Sequence, residues 1–401
     1  MERIRESGAR APLEGEVLLS CARTRLDGPR AGQLTALLGS RLDWKYLLRQ
    51  ADLHGLTPLL YHHLNATCPE SVPEAVLAQL RDDFRQGMQR NLLLTSSLLD
   101  LIGLLRTHGI SAIPFKGPLL ALFAYEHLAL REFWDLDLLV RKRDVPKANE
   151  LLLSQGYQSE HSLDESQQAA RLRFQYEWRF LRRTDRLRVE IQWRLAPRYF
   201  SFPLDPEGLW ERQAKFCLGS KVIPSLAPED VLLSLCAHGA KHLWKRLIWV
   251  CDVAELIRVH RGMDWTGVMD RARETGSLRM LQLGLRLAAD LLQAAAPKDL
   301  LESNPADPMV KPLAAQVRAR LFQDSNAPSQ KLAFLRRQLQ MRERLRDKAR
   351  FCVRRAITPN TDDWTRFWLP PPLIPLYYVL RPIRLAGKYA LSPVRRIFAP
   401  T

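Results

Sequence analysis

A chain of 401 residues, 46% of them apolar, is long enough for two or three domains and supplies material for real cores. No segment is long and apolar enough to span a bilayer, and the opening Met-Glu-Arg-Ile-Arg carries no apolar signal core, so a cytoplasmic protein is expected. Six scattered cysteines without C-x-x-C spacing argue against a zinc or disulfide framework, while a formal charge of +17 predicts polyanionic partners: nucleotides, nucleic acid or acidic lipid.

Residues 30–105 read as helical. Leu94, Leu98, Leu101 and Leu105 form a stripe at helical spacing, and Asp43 is placed to cap a helix beginning at Trp44. After Gly109 the pattern changes. Ile110–Phe115 is a short apolar run expected as a strand, broken by Lys116-Gly117-Pro118 and followed by a helix over Leu119–Leu128. Phe133–Val140 is a second strand candidate, and Pro146–Ser154 a helix ending near Gly156. Strict alternation of Leu172, Phe174, Tyr176, Trp178 and Phe180 with polar residues predicts a strand over Leu172–Phe180. The polar turn Arg182–Arg186 and the alternation of Val189, Ile191 and Trp193 complete an antiparallel hairpin.

From Pro228 the chain reads as helical again, over Glu229–Val259 and Asp264–Ala295. Residues 331–356 form a basic helical run, and the tail from Thr358 is rich in proline and aromatic residues, with Pro370–Pro372 favouring an extended path. The organisation expected is an N-terminal helical region (1–105), an α/β core (106–224), a helical domain (225–330) and a basic, Pro/aromatic tail (331–401). The fold class is therefore α+β: a small mixed sheet flanked by helical regions.

Asp135 and Asp137 lie two apart in a strand candidate, so both carboxylates share a face, with Leu136 and Leu138 on the other. Neighbouring carboxylates repel, and a hard divalent cation that takes oxygen ligands relieves the repulsion. Glu190 occupies the polar face of the hairpin. If the sheet brings it beside Asp135 and Asp137, three carboxylates converge on a metal platform suited to phosphoryl displacement. Lys116-Gly117 closes a strand before a helix, where backbone N–H groups approach phosphate, and Arg131 is spaced to meet a triphosphate oxygen. His238 and His242, four apart on a helix, have the spacing of a zinc pair but lack the accompanying glutamate, and helix packing is the simpler reading. His242, Lys241 and Arg246 are candidates to reach a nucleotide across a cleft.

These residues carry a resemblance. Ile113–Gly117, Arg131–Val140, Gly156-Tyr157 and Val189–Trp193, flanked by Asp43-Trp44, His54-Gly55, Pro228-Glu229-Asp230, His238–Trp244 and Trp249–Asp252, resemble the uncharacterised nucleotidyltransferase family of the DNA polymerase β-like superfamily. The resemblance covers roughly residues 40–390. It implies Asp135 and Asp137 as metal ligands and Glu190 as the third carboxylate. The family carries over no established substrate; the chemistry expected at these carboxylates takes Mg²⁺ or Mn²⁺ as the ion, an NTP (ATP the first choice) as donor and a hydroxyl as acceptor. Lys116, Gly117, Arg131, His242 and Arg246 are the expected nucleotide contacts. Two departures stand out: Lys116-Gly117 replaces the superfamily's Gly-Ser, and Gln192, which does not titrate, stands where relatives often carry His. Rival readings are a nucleotide-binding protein without turnover, a phosphotransferase acting on a small hydroxylated substrate, and a modifier of nucleic acid. The basic stretch 331–401 is expected to meet an anionic surface, nucleic acid or membrane, and a peripheral membrane association would follow from the second.

Overall fold

The computed structural model describes residues 12–200, 202–297, 300, 307–323 and 331–390. Five helices open the chain: α1 (Leu13–Cys21), α2 (Gly28–Leu38), α3 (Trp44–His54), α4 (Thr57–Thr67) and α5 (Glu74–Thr107). The core follows with β1 (Ala112–Pro114), α6 (Pro118–Tyr125), β2 (Asp135–Val140), α7 (Val145–Ser154), β3 (Tyr157–Ser159), α8 (Glu165–Phe174), β4 (Glu177–Arg182) and β5 (Leu187–Gln192). Then come α9 (Pro206–Glu211), β6 (Ala214–Leu218), β7 (Lys221–Ser225), α10 (Pro228–Lys241), α11 (Leu247–Val259), α12 (Trp265–Thr275) and α13 (Leu278–Leu292). The last helices are α14 (Val310–Leu321), α15 (Lys331–Gln340), α16 (Leu345–Ile357), α17 (Thr361–Arg366) and α18 (Tyr377–Ala390). Among the described residues no helix is long and apolar enough to cross a membrane. The α+β class holds.

The sheet is mixed and runs β1-β2-β5-β4-β3. β2 and β5 are parallel, and the other three pairings are antiparallel. Alternation sorts its two faces. Leu136, Leu138, Val140, Val189, Ile191, Trp178 and Phe180 enter one core with Leu94, Leu98, Leu101 and Leu105 of α5, which confirms that stripe. The opposite face carries Asp135, Asp137, Glu190, Gln192, Arg179 and Glu177, and lies beneath α10 and α11. A larger core joins α1–α4 to α6, α10, α11 and α13, so the helical regions on either side of the sheet in sequence share one apolar interior.

Several local expectations hold. Asp43 caps α3, accepting from the Tyr46 amide at 2.9 Å. Others need correction. Residues Leu172–Phe174 are the last turn of α8, and strand pairing begins only at Glu177. The capping box of Asp164 and Gln167 starts that helix, and helical hydrogen bonding overrides the alternation up to Phe174. Glu229–Val259 is two helices, because Leu243 and Trp244 adopt left-handed backbone. Gly276 (φ +66°) divides the next span. The basic run 331–356 is also two helices. Between them Arg342, fully buried, stacks on Phe351 and Phe200 and donates to the Phe200 carbonyl at 2.6 Å. After Pro370, 371–376 coils into a 3₁₀ turn instead of continuing extended, and the tail packs Trp364, Ile374 and Tyr377 against Phe174 of α8.

The corner between α10 and α11 is shaped by one side chain. Trp244 is fully buried, and a Cβ placed on Gly239 would sit 2.6 Å from its ring atoms. The missing side chain is what lets the indole lie on α10. Gly239→Ala is therefore expected to destabilise by about 1–3 kcal/mol in urea denaturation, the usual cost of overpacking. Gly103→Ala, in α5 with open space around it, is expected to add up to about 1 kcal/mol.

Two buried histidines tie the helical core. His63 meets the Arg23 carbonyl at 2.6 Å, and His54 Nδ1 accepts from the Leu247 amide at 3.1 Å. Burial pushes both imidazoles from 6.5 down to about 4. Between those values the unfolded chain takes up protons that the folded chain refuses, so stability falls as pH falls. The melting temperature is expected to drop across this window, and less steeply for His63→Gln. An equal slope in wild type and variant would remove His63 from the account.

Candidate active site

Register brings the carboxylates together. Asp137 on β2 lies opposite Glu190 on β5, which in turn lies opposite Arg179 on β4. The Gln192 amide touches both acids, donating to Asp137 Oδ1 at 2.8 Å and to Glu190 Oε2 at 3.1 Å. Lys116 Nζ is 3.4 Å from Asp137 Oδ1. Arg179 reaches Glu190 at 3.0 Å and Glu177 at 2.5 Å. Asp135, two residues before Asp137, lines the same cleft.

The charge balance is uneven. Burial and then Asp137 raise the Asp135 carboxyl to about 6. Burial, then Asp137 and Glu177, raise Glu190 to about 7. Burial works to lower the Lys116 ammonium, but Asp137, Asp135 and Glu190 outweigh it and its pKa rises. The resident cations thus leave Asp135 and Glu190 under-neutralised.

Gly117 makes the floor. It has φ +56°, and a Cβ there would meet the Asp135 carbonyl at 3.0 Å. Only glycine takes this turn without strain, and the turn sets Lys116 against β2. Asn91 of α5 donates to the Leu128 and Arg131 carbonyls at 2.7 and 3.0 Å, fixing the segment that enters β2.

The facing wall comes from α10, α11 and their corner. Lys241 donates to the Tyr176 hydroxyl at 3.1 Å, and its pKa is lowered chiefly by burial. His242 is pushed down to about 4, first by burial and then by Lys241, Lys116 and Lys245. It packs with His238 and Trp249, ring centroids 4.6 and 5.2 Å away. Arg246 donates through Nε to the Leu53 carbonyl at 2.9 Å, and Gly55 leaves room for its guanidinium. His54-Gly55 therefore serves this wall from the N-terminal helices. The cleft between wall and sheet encloses about 350 Å³.

Lys116, Gly117, Asp135, Asp137, Glu190, His242 and Arg246 all line this cleft, as does Arg131. Arg131, however, has Nε and Nη2 on Asp252 at 2.7 and 2.9 Å, leaving Nη1 against the Glu132 carbonyl at 3.4 Å. A carboxylate that is 1% exposed needs such a forked partner. Sequence reasoning passed over Arg179 and Glu177. Their signal was register: both alternate onto the face of Glu190 and Gln192. Among the described residues, no three His, Cys, Asp or Glu side chains close on one point as a preformed metal site. The three carboxylates supply hard oxygen donors of the right kind, but Lys116, Gln192 and Arg179 hold Asp137 and Glu190 in the arrangement seen.

The family profile described as uncharacterised nucleotidyltransferase matches residues 40–293, from just before the Asp43 cap through α13. The chain belongs to this nucleotidyltransferase family. No curated protein and no solved structure matches it. The family match takes in both walls of the cleft and the His54-Gly55 support.

Proposed function

We propose that the cleft moves an NMP from an NTP, ATP the first candidate, to a hydroxyl acceptor. The observation that carries this reading is the row Asp137–Glu190, with Asp135 beside it, on one sheet face under a basic wall. Asp135, Asp137 and Glu190 would hold Mg²⁺ or Mn²⁺, which when bound neutralises phosphate charge and polarises the α-phosphate. The excess negative charge on these acids favours such an ion. Lys116, the Gly117 backbone, His242 and Arg246 steady the phosphates. Arg131 acts as a positioning residue through Asp252. A Glu190 carboxylate accepts the acceptor's hydroxyl proton. The acceptor oxygen then bonds to the α-phosphorus as the bond to the bridging oxygen breaks, and pyrophosphate leaves.

The test is Mg²⁺-dependent NTP binding with product analysis. Pyrophosphate supports nucleotidyl transfer, and ADP would replace this reading with phosphoryl transfer. A second reading, nucleotide binding without turnover, is favoured by the Lys116 ammonium and Gln192 amide already resting on Asp137. Binding of NTP with no product from any acceptor tried would select it.

A further inference from the structure

A helix in contact with water turns its apolar side chains inward. α18 does so only in part: Tyr377 is buried and Leu380 half-buried against Phe174, but arginines share that inner face and aliphatic side chains stand outside. Arg381 and Arg384 point into the protein and bind Asp363 at 2.7 and 2.5 Å, where the carboxylate is 1% exposed. Val379 and Ile383, at helical spacing, are 58% and 63% exposed, and Leu376 continues their line just before the helix. The neighbouring helix α16 shows the same habit: Leu345 and Val353, two turns apart, face outward beside exposed Arg346 and Arg350. Phe367 and Trp368 are exposed just upstream of this surface.

The charge around these stripes is one-sided. Residues 331–390 carry fourteen Lys or Arg against four Asp or Glu. Two of those four, Asp347 and Asp363, are buried in ion pairs. A groove of about 950 Å³ beside α16 is lined by Leu335, Leu339 and Phe351 and edged by Arg336, Lys348 and Arg355, with no acidic side chain in its wall. Aliphatic stripes amid exposed cations match one surface chemically: the boundary between anionic headgroups and acyl chains. A nucleic acid would engage the cations but leave Val379 and Ile383 in water.

We propose that α16 and α18 dock this protein on an anionic membrane surface. The aliphatic side chains enter the headgroup–acyl boundary, and the surrounding arginines and lysines meet lipid phosphates; Trp368, whose indole N–H donates to Asp164 at 3.0 Å, stays with α8. Among the described residues α18 runs for 14, fewer than a bilayer span needs, and in this arrangement the helix lies along the surface. The proposal is independent of the chemistry in the cleft.

The full chain is to be floated with vesicles of phosphatidylcholine, alone or mixed with phosphatidylglycerol. Binding to the mixed vesicles, weakened by salt, is expected. The double variant V379D/I383D alters only exposed positions and is expected to lose about tenfold or more in vesicle affinity, with unchanged circular dichroism and melting temperature. Ile383→Trp is expected to bind more tightly. Absence of wild-type flotation, or equal flotation of wild type and V379D/I383D, overturns the proposal. So does a concentration-dependent dimer that V379D/I383D splits with no vesicle binding, which would assign the face to a second copy. Salt-sensitive binding to RNA or DNA in place of vesicles would overturn it likewise.

Discussion

Asp137→Ala is expected to reduce pyrophosphate release by about 10²–10³-fold, the scale seen when charge stabilisation at a reacting centre is lost. Asp137 is 4% exposed and is the one carboxylate that both Lys116 and Gln192 touch. Removing it leaves the half-buried Lys116 ammonium with Asp135 and Glu190 as its remaining acidic neighbours. Gln192→Ala is the instructive contrast. It removes a neutral amide from the same two acids, leaves the formal charge intact, and is expected to cost about tenfold, the value of one net hydrogen bond. Equal, large losses in both variants would mean that geometry, not charge, governs the cleft. Unchanged release in Asp137→Ala would dispose of the catalytic reading altogether.

Asp252→Ala is expected to be the most destabilising of these changes, at about 3–5 kcal/mol, because it strands a buried guanidinium. Asp252 also accepts from the Tyr125 hydroxyl at 2.6 Å, so a second buried donor loses its partner. Arg131 stands four residues before Asp135, and its loosening shifts the entry to β2. Urea denaturation measures the stability loss. The double variant R131M/D252L replaces the pair with apolar groups and is expected to recover most of it. If R131M/D252L is stable but binds NTP far more weakly than wild type, Arg131 touches the nucleotide and is more than a positioning residue.

Period-two spacing made the carboxylate face readable in advance. Asp135 and Asp137 follow from their separation, and Glu190 from the alternation of Val189 and Ile191. What alternation does not carry is pairing between distant segments. The parallel register of β2 on β5, and the clasp of Arg131 on Asp252 across 121 residues, arise only when helices and sheet pack. The same limit explains the misread strand start. Arg171–Phe174 alternates in composition, yet the Asp164 cap commits those residues to a helix. The β6–β7 hairpin, with its turn at Gly219, is short and half exposed, and Cys217, Val222 and Pro224 on its strands blur the apolar–polar alternation in sequence. The inward arginines of α18 are another such case, since their partner Asp363 belongs to a separate helix.

Trp244 has a mechanical meaning beyond packing. Its indole is wedged between Gly239 of α10 and Gly284 of α13, and two successive left-handed residues leave the corner no spare slack. Lys241, His242 and Arg246 are thus indexed to the helical interior like teeth on a fixed jaw. The opposing side is less constrained, with Trp134 57% exposed at the lip beside Asp135.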